Sequence, residues 1–136
     1  MNKKTVSIQI KAFLDAVSEF QKAYKNAVEG VDVAEKETQD LLHQLELGTA
    51  KARAKTATRL SHTRKSRRYY KDITTVLGPL IEWADGDGLK ALNILKSKVL
   101  GDTRKAEKSI ENRQYFPRII TDLEISALAK DKKEEE

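Results

Sequence analysis

The chain has 136 residues, 39% hydrophobic and 35% charged, with a net charge of +5 and no cysteine. That length suits a single domain with a modest core, and the missing cysteine excludes a disulfide framework, a thiolate zinc site and a cysteine nucleophile, which fits a reducing, intracellular setting. No run approaches the roughly 20 apolar residues of a membrane span, and Lys11, Asp15 and Glu19 interrupt the segment after Lys3 and Lys4 that a signal peptide would need.

The first helix is expected over about Thr5 to Val28. Val6, Ile10, Phe13, Leu14, Val17, Phe20, Tyr24, Ala27 and Val28 recur in steps of three and four, which predicts one apolar stripe. Gly30 falls where a left-handed cap residue is expected, and Asp32 can cap the helix that follows.

A second helical pattern starts near Val33 and meets no proline until Pro79. Its predicted inward positions are Leu41, Leu42, Leu45, Gly48, Thr49, Ala52, Thr56, Leu60, Thr63, Tyr70, Ile73 and Leu77. Ala50, Ala52, Ala54 and Ala57 favour helix and permit a close neighbour. Unbroken, this helix would run about 65 Å, whereas a compact chain of this size is about 35–40 Å across. It therefore breaks, near Gly48, or projects to meet a partner.

Charge along this pattern is polarised. Glu29, Asp32, Glu35, Glu37, Asp40 and Glu46 face one base, Lys36, whereas Lys51, Arg53, Lys55, Arg59, Arg64, Lys65, Arg67, Arg68 and Lys71 occur with no acid between them. Two antiparallel copies of the long helix would set the acidic half of one against the basic half of the other, crossing at Gly48 to Ala54. That arrangement makes a homodimer through this helix one expectation.

Pro79 is expected to end or kink the long helix and to open a short one carrying Leu80, Ile81 and Trp83. Asp85, Gly86, Asp87 and Gly88 read as a turn. Asp87 then caps a helix bearing Leu89, Leu92, Ile94, Leu95, Val99 and Leu100. Gly101 and Asp102 read as a stop with a fresh cap, or as a tolerated interruption. Thr103 to Gln114 is helical and mostly charged, with Ala106 and Ile110 inward. Pro117 biases Phe116 to extended backbone, and Arg118 to Ala129 reads as a short helix or clasp. The fold class expected is all-α: a helical hairpin or bundle with one long, charged, kinkable central helix and short C-terminal helices. Residues 1–129 form a single domain, and residues 130–136 form a disordered charged tail.

Candidate chemistry is sparse. His43 and His62 lie too far apart on one helix to share a ligand, and no HExxH pair, nucleophile elbow, phosphate loop or dinucleotide fingerprint occurs. Asp85 and Asp87 alternate with glycines, but a calcium loop needs oxygen ligands where Leu89 and Lys96 stand. No catalytic residue, metal or cofactor is expected. The basic segment is the better candidate: Arg64, Lys65, Arg67, Arg68 and Lys71 can neutralise phosphate, and Tyr69 can stack on a base. Arg113, Tyr115, Phe116 and Arg118 repeat that mixture. The structural alternative places Tyr70 and Phe116 in the core and pairs the arginines with Glu107, Glu111 and Asp122.

Taken in order, Leu41–Leu47, Arg64–Asp72, Leu77–Leu80 and Leu95–Glu107 form a pattern that ends in Glu111, Asn112, Arg113, Tyr115, Pro117 and Arg118. It resembles small, largely uncharacterised helical proteins encoded by phages and prophages of Gram-positive bacteria, over about Leu41 to Leu123. The resemblance implies a mobile-element setting in a bacterial cytoplasm and supplies no mechanism. The functional expectation is a non-enzymatic accessory protein that binds nucleic acid, or a nucleic-acid-bound complex, through the basic surface. The alternative is a protein-binding module, such as an inhibitor of a host defence factor or an assembly subunit, that meets an acidic protein surface.

Overall fold

A computed structural model describes residues 5–114 and 119–120, and among these the fold is all-α with no strand. The elements are α1 (Val6–Leu47), α2 (Ala50–Asp85), α3 (Asp87–Ile94), a π-helical turn (Leu95–Val99) and α4 (Leu100–Glu111). They divide into two compact units. One is Val17–Asp87; the other joins the described residues up to Ala16 to those from Gly88 onward.

The first unit is an antiparallel helical hairpin. Its direction follows from three cross-helix contacts, in which Gly30 meets Tyr70, Glu35 meets Arg67 and Glu37 meets Thr63. As α1 advances, its partner on α2 recedes. The expected break falls at Gly48. A Cβ there would lie 2.6 Å from the Gln44 carbonyl oxygen, while the Gly48 N–H closes the last turn on that same carbonyl at 2.9 Å. Thr49 then opens α2, its side chain accepting from the Ala52 N–H at 3.3 Å. A hydroxyl at this position satisfies one of the donors that a helix start leaves unpaired.

Heptad spacing sets the seam. On α2 the inward positions are Thr56, Leu60, Thr63, Arg67, Tyr70, Thr74, Leu77, Ile81 and Ala84; on α1 they are Tyr24, Ala27, Val31, Ala34, Thr38, Leu41 and Leu45. Many of these side chains are small, and Ala27 and Ala84 are almost wholly enclosed at 1% and 0% exposure. Buried hydroxyls are satisfied within the hairpin: Thr56 donates to the Ala52 carbonyl of its own helix at 2.8 Å, and Thr63 donates across the seam to Glu37 at 3.3 Å. Among the described residues no buried side-chain polar atom is left without a partner.

Two boundaries differ from the sequence reading. Gly30 does not end a helix; α1 runs through it, and no glycine among the described residues has a positive φ. Its role is steric. A Cβ on Gly30 would sit 2.6 Å from Cγ and Cδ2 of the Tyr70 ring, so only glycine lets that ring lie against the α1 backbone. Asp32 correspondingly pairs with Lys36 inside the helix at 3.0 Å and caps nothing.

Pro79 likewise lies within α2, which continues to Asp85. Proline in a helix interior costs about 3 kcal/mol. The turns after it carry Ile81 and Ala84 into the seam, and their burial holds the helix together past the break in its ladder. One turn earlier the hydroxyls of Thr74 and Thr75 both donate to the Lys71 carbonyl, at 2.7 and 2.9 Å.

Inward assignments shift too. Phe13, Phe20, Val28 and Leu42 are exposed, because the buried stripe keeps to the heptad positions beside them. Arg67, expected on the surface, occupies a seam position.

In the second unit, the start of α1 packs with the helical run Gly88–Glu111. Asp87 is the first residue of α3, where its charge suits the helix N-terminus, and Gly86 makes the turn before it. Gly101 and Asp102 lie within α4, so the tolerated interruption is what the chain adopts. The face directed inward reads Leu92, Leu95, Leu100, Thr103, Glu107 and Ile110, leaving Ala106 exposed against expectation. The step from Leu95 to Leu100 is five residues, too many for an α-helix to keep both on one side. The π-helical turn between them absorbs the surplus residue.

Glu107 uses its place on that face to cap α1. Its carboxylate accepts the Ser7 N–H at 2.8 Å and the Ser7 hydroxyl at 2.5 Å. These bonds, first the hydroxyl and then the backbone N–H, hold its pKa below the ordinary carboxylate value. The segment from Arg118 to Ala129 was expected to be a short helix or clasp. Ile119 and Ile120 are exposed and not helical, and the remainder of that segment, like the charged tail, lies outside the described residues.

Two outcomes are expected. Gly30→Ala gains about 1 kcal/mol of helix propensity yet overpacks the seam by about 1–3 kcal/mol, so it destabilises in urea titration. Pairing it with Tyr70→Ala removes the added cost in a double-mutant cycle. For Glu107, the depressed value means its stabilisation is full above the ordinary carboxylate pKa and is lost as pH falls through the folded one. The protection factor of the Ser7 amide, its exchange relative to an unstructured chain at the same pH, therefore falls in acid, and Glu107→Gln flattens that pH dependence.

Candidate nucleic-acid interface

The basic segment lies on α2, on one side of the hairpin seam. Arg64, Arg68 and Lys71 follow i, i+4, i+7 spacing, which puts them in one row, and Lys65 stands at its outer edge. All four are exposed, and among the described residues none of them takes part in an ion pair. Arg67 differs. Its Nη2 lies 3.1 Å from Glu35 Oε1 and its Nε donates to the same oxygen at 3.3 Å. With side chains 37% and 51% exposed, this pair contributes at most about 1 kcal/mol, but it ties α2 to α1.

A groove of about 670 Å³ runs beneath the row. Leu45, Leu60 and Ala57 contribute its apolar lining, Ser61 adds a hydroxyl, and Arg64, Lys65, Arg67 and Arg68 supply the cations. No acid lines it. The opposite flank of α2 has a second groove of about 460 Å³, where Glu37 and Asp40 of α1 stand with Lys55 and Arg59 of α2. The hairpin thus offsets basic charge along one flank and leaves it uncompensated along the other. Acidic and basic halves that the sequence could set between two copies meet here within one chain.

The aromatic part of the expected site is placed differently. Tyr70 is a seam residue, with its ring against Gly30, as the structural alternative held. Tyr69 is 62% exposed and edge-on to Tyr70, with ring centroids 5.4 Å apart. One residue on from Arg68, it points about 100° further round the helix, away from Arg64, Arg68 and Lys71 and on the face of Lys65, one turn earlier. Arg113 is exposed just beyond α4, its N–H bonded to the Ile110 carbonyl at 3.2 Å. It belongs to the second unit, whereas Arg64–Lys71 belong to the hairpin. Tyr115, Phe116 and Arg118 lie outside the described residues, as does Asp122.

The apolar lining was the part of the site not foreseen. Leu45 and Leu60 stand at the margin of the seam, and their partial exposure follows from its narrowness. His43 and His62 are both exposed, on different helices. Among the described residues no group of three or more His, Cys, Asp or Glu could hold a metal ion, and no helix is long and apolar enough to cross a membrane.

This geometry defines an all-α hairpin protein with one basic, partly apolar flank. No protein-family model, curated protein or solved structure matches the chain.

Proposed function

We propose that this chain is a non-enzymatic phage or prophage accessory protein that binds nucleic acid through the basic flank of α2. The observation that carries the reading is the contrast within one run of residues. Arg67 is engaged with Glu35, while Arg64, Lys65, Arg68 and Lys71 form an exposed cationic row opposed by no carboxylate. Phosphates along a strand present the complementary charge at regular intervals, and each contact releases condensed counterions. The row lies on a helix fixed along its length by the seam, so the cations keep their spacing. Contacts of this kind position a nucleic acid without reading its sequence. The setting rests on the resemblance of Leu41–Leu123 to phage and prophage proteins.

The apolar lining favours a second reading. Leu45, Leu60 and Ala57 beneath a cationic rim also suit an acidic, amphipathic protein helix, with leucines seated and carboxylates at the rim.

Titration of single- and double-stranded DNA and RNA against salt tests the proposal. Four phosphate contacts give a slope of about 3–4 in log K against log salt, and Arg64→Ala with Arg68→Ala lowers it by about 1.5–2. Arg67→Ala leaves the slope unchanged and lowers hairpin stability by less than about 1 kcal/mol. Absence of binding to every one of these nucleic acids at low ionic strength sinks the proposal. A lysate partner that survives nuclease treatment and depends on Leu60 then supports the second reading.

A further inference from the structure

The groove beside Arg64 and Arg68 is built unevenly, and that unevenness narrows the kind of nucleic acid that fits it. Leu60, Ser61, Arg64 and Arg68 stand three, four, seven and eleven residues beyond Ala57, so all five share one flank of α2. The lining cations Arg64, Lys65, Arg67 and Arg68 all belong to α2, while α1 contributes Leu45 and no charge. Leu45 and Leu60 are half-buried at the seam margin. The groove thus has an apolar floor under a cationic rim that one helix supplies, and no carboxylate among the described residues lines it.

Paired and unpaired strands present different surfaces to such a site. A duplex keeps its base faces stacked inside and shows a phosphate backbone on either side of each groove. A rim on one helix can meet one of those backbones, but the apolar floor then faces sugar and phosphate. An unpaired strand carries phosphates along one side and leaves its base faces free on the other. Apolar side chains, like aromatic ones, can hold an unstacked base. The floor is also short: Ala57 and Leu60 lie within one turn of α2, whereas a docked amphipathic peptide helix places anchors over about two turns. At about 670 Å³ the groove falls among pockets of about 300–1,000 Å³ that hold drug-sized molecules, which leaves room for a base with its sugar.

From this we propose that the groove takes single-stranded nucleic acid, with a base seated over Leu45 and Leu60 and the flanking phosphates on Arg64, Lys65 and Arg68. The inference rests on the nucleic-acid reading of the basic flank and specifies the form of nucleic acid it takes. Ser61 is the one uncharged polar side chain among the described lining residues, so base edges find little to bond and the seat does not discriminate by sequence.

Fluorescence anisotropy with the full chain at low salt compares three probes of about 12 nucleotides, a length within the site sizes of single-strand binders. One is an unpaired strand of mixed sequence, one is that strand paired with its complement, and one is a strand whose sugars carry no bases. The first two are made both as DNA and as RNA. The unpaired strand is expected to bind about 5- to 150-fold more tightly than the duplex or the baseless strand, the worth of one stacked base. Its salt slope should match that of the baseless strand, because the phosphate contacts are the same. Leu60→Ser weakens the unpaired strand to the level of the baseless one. Where that change unsettles the hairpin, Ala57→Trp decides: it adds a stacking face at an exposed position, and it tightens the unpaired strand several-fold without affecting the baseless one. A duplex or a baseless strand bound as tightly as the unpaired strand, or no response to Ala57→Trp, overturns the inference and leaves the nucleic-acid reading in place. Absence of binding to all the probes removes both and leaves the groove to an acidic protein helix.

Discussion

The close approach of α1 and α2 governs most of what surrounds it. Alanines and threonines along much of the seam permit a close approach of the helices, and at Gly30 the Tyr70 ring is laid against backbone. Small seam residues bury little area each, so the hairpin relies on many layers in register and not on a few large side chains. None of the described large side chains is fully enclosed. A narrow seam also leaves bulky residues at its margins half in water. That is why Leu45 and Leu60 help line a groove, and why Ile73 and Leu80 are half-buried at an edge.

Helicity was legible in the sequence from periodicity and the scarcity of glycine and proline; the fold-back was legible only in part, since a break near Gly48 was one of two outcomes open to the long helical pattern. Glycine and proline elsewhere were misread for a common reason. Gly30 and Pro79 are both helix breakers by local propensity, of about 1 and 3 kcal/mol. Each sits in a helix whose flanking turns are buried by a partner, and packing outweighs those local costs. No local signal announces that Gly30 answers Tyr70, forty positions away. Phe13 and Phe20 misled in the opposite sense: large apolar residues suggest a core, yet the heptad phase excludes them from it.

The expected site was partly legible. An acid-free run identified the basic residues, but composition cannot separate a cation engaged within the fold from one facing outward. Arg67 and Arg68 are neighbours in sequence and differ by about 100° on the helix, which sends one to Glu35 and the other to solvent. The same rotation parts Tyr69 from Arg64, Arg68 and Lys71, leaving only Lys65 on its face. Three faces of α2 therefore carry three kinds of chemistry: small residues toward α1, cations along one flank, and the exposed side chains of Tyr69, Val76 and Trp83 outward. Interleaved in the sequence, they separate only once the helix is wound.

The π-helical turn at Leu95–Val99 has a consequence for how this chain can change. With one residue more than an α-helix requires between Leu95 and Leu100, the segment holds a surplus that no inward side chain needs. Loss of a residue there would leave Leu100, Thr103, Glu107 and Ile110 facing as they do, only wound more tightly. A gain would have to widen a turn already wide, or swing Glu107 away from Ser7. The helical run is thus tolerant of change in one direction only. Its history of length variation, where related chains exist, should run toward the shorter form at this place.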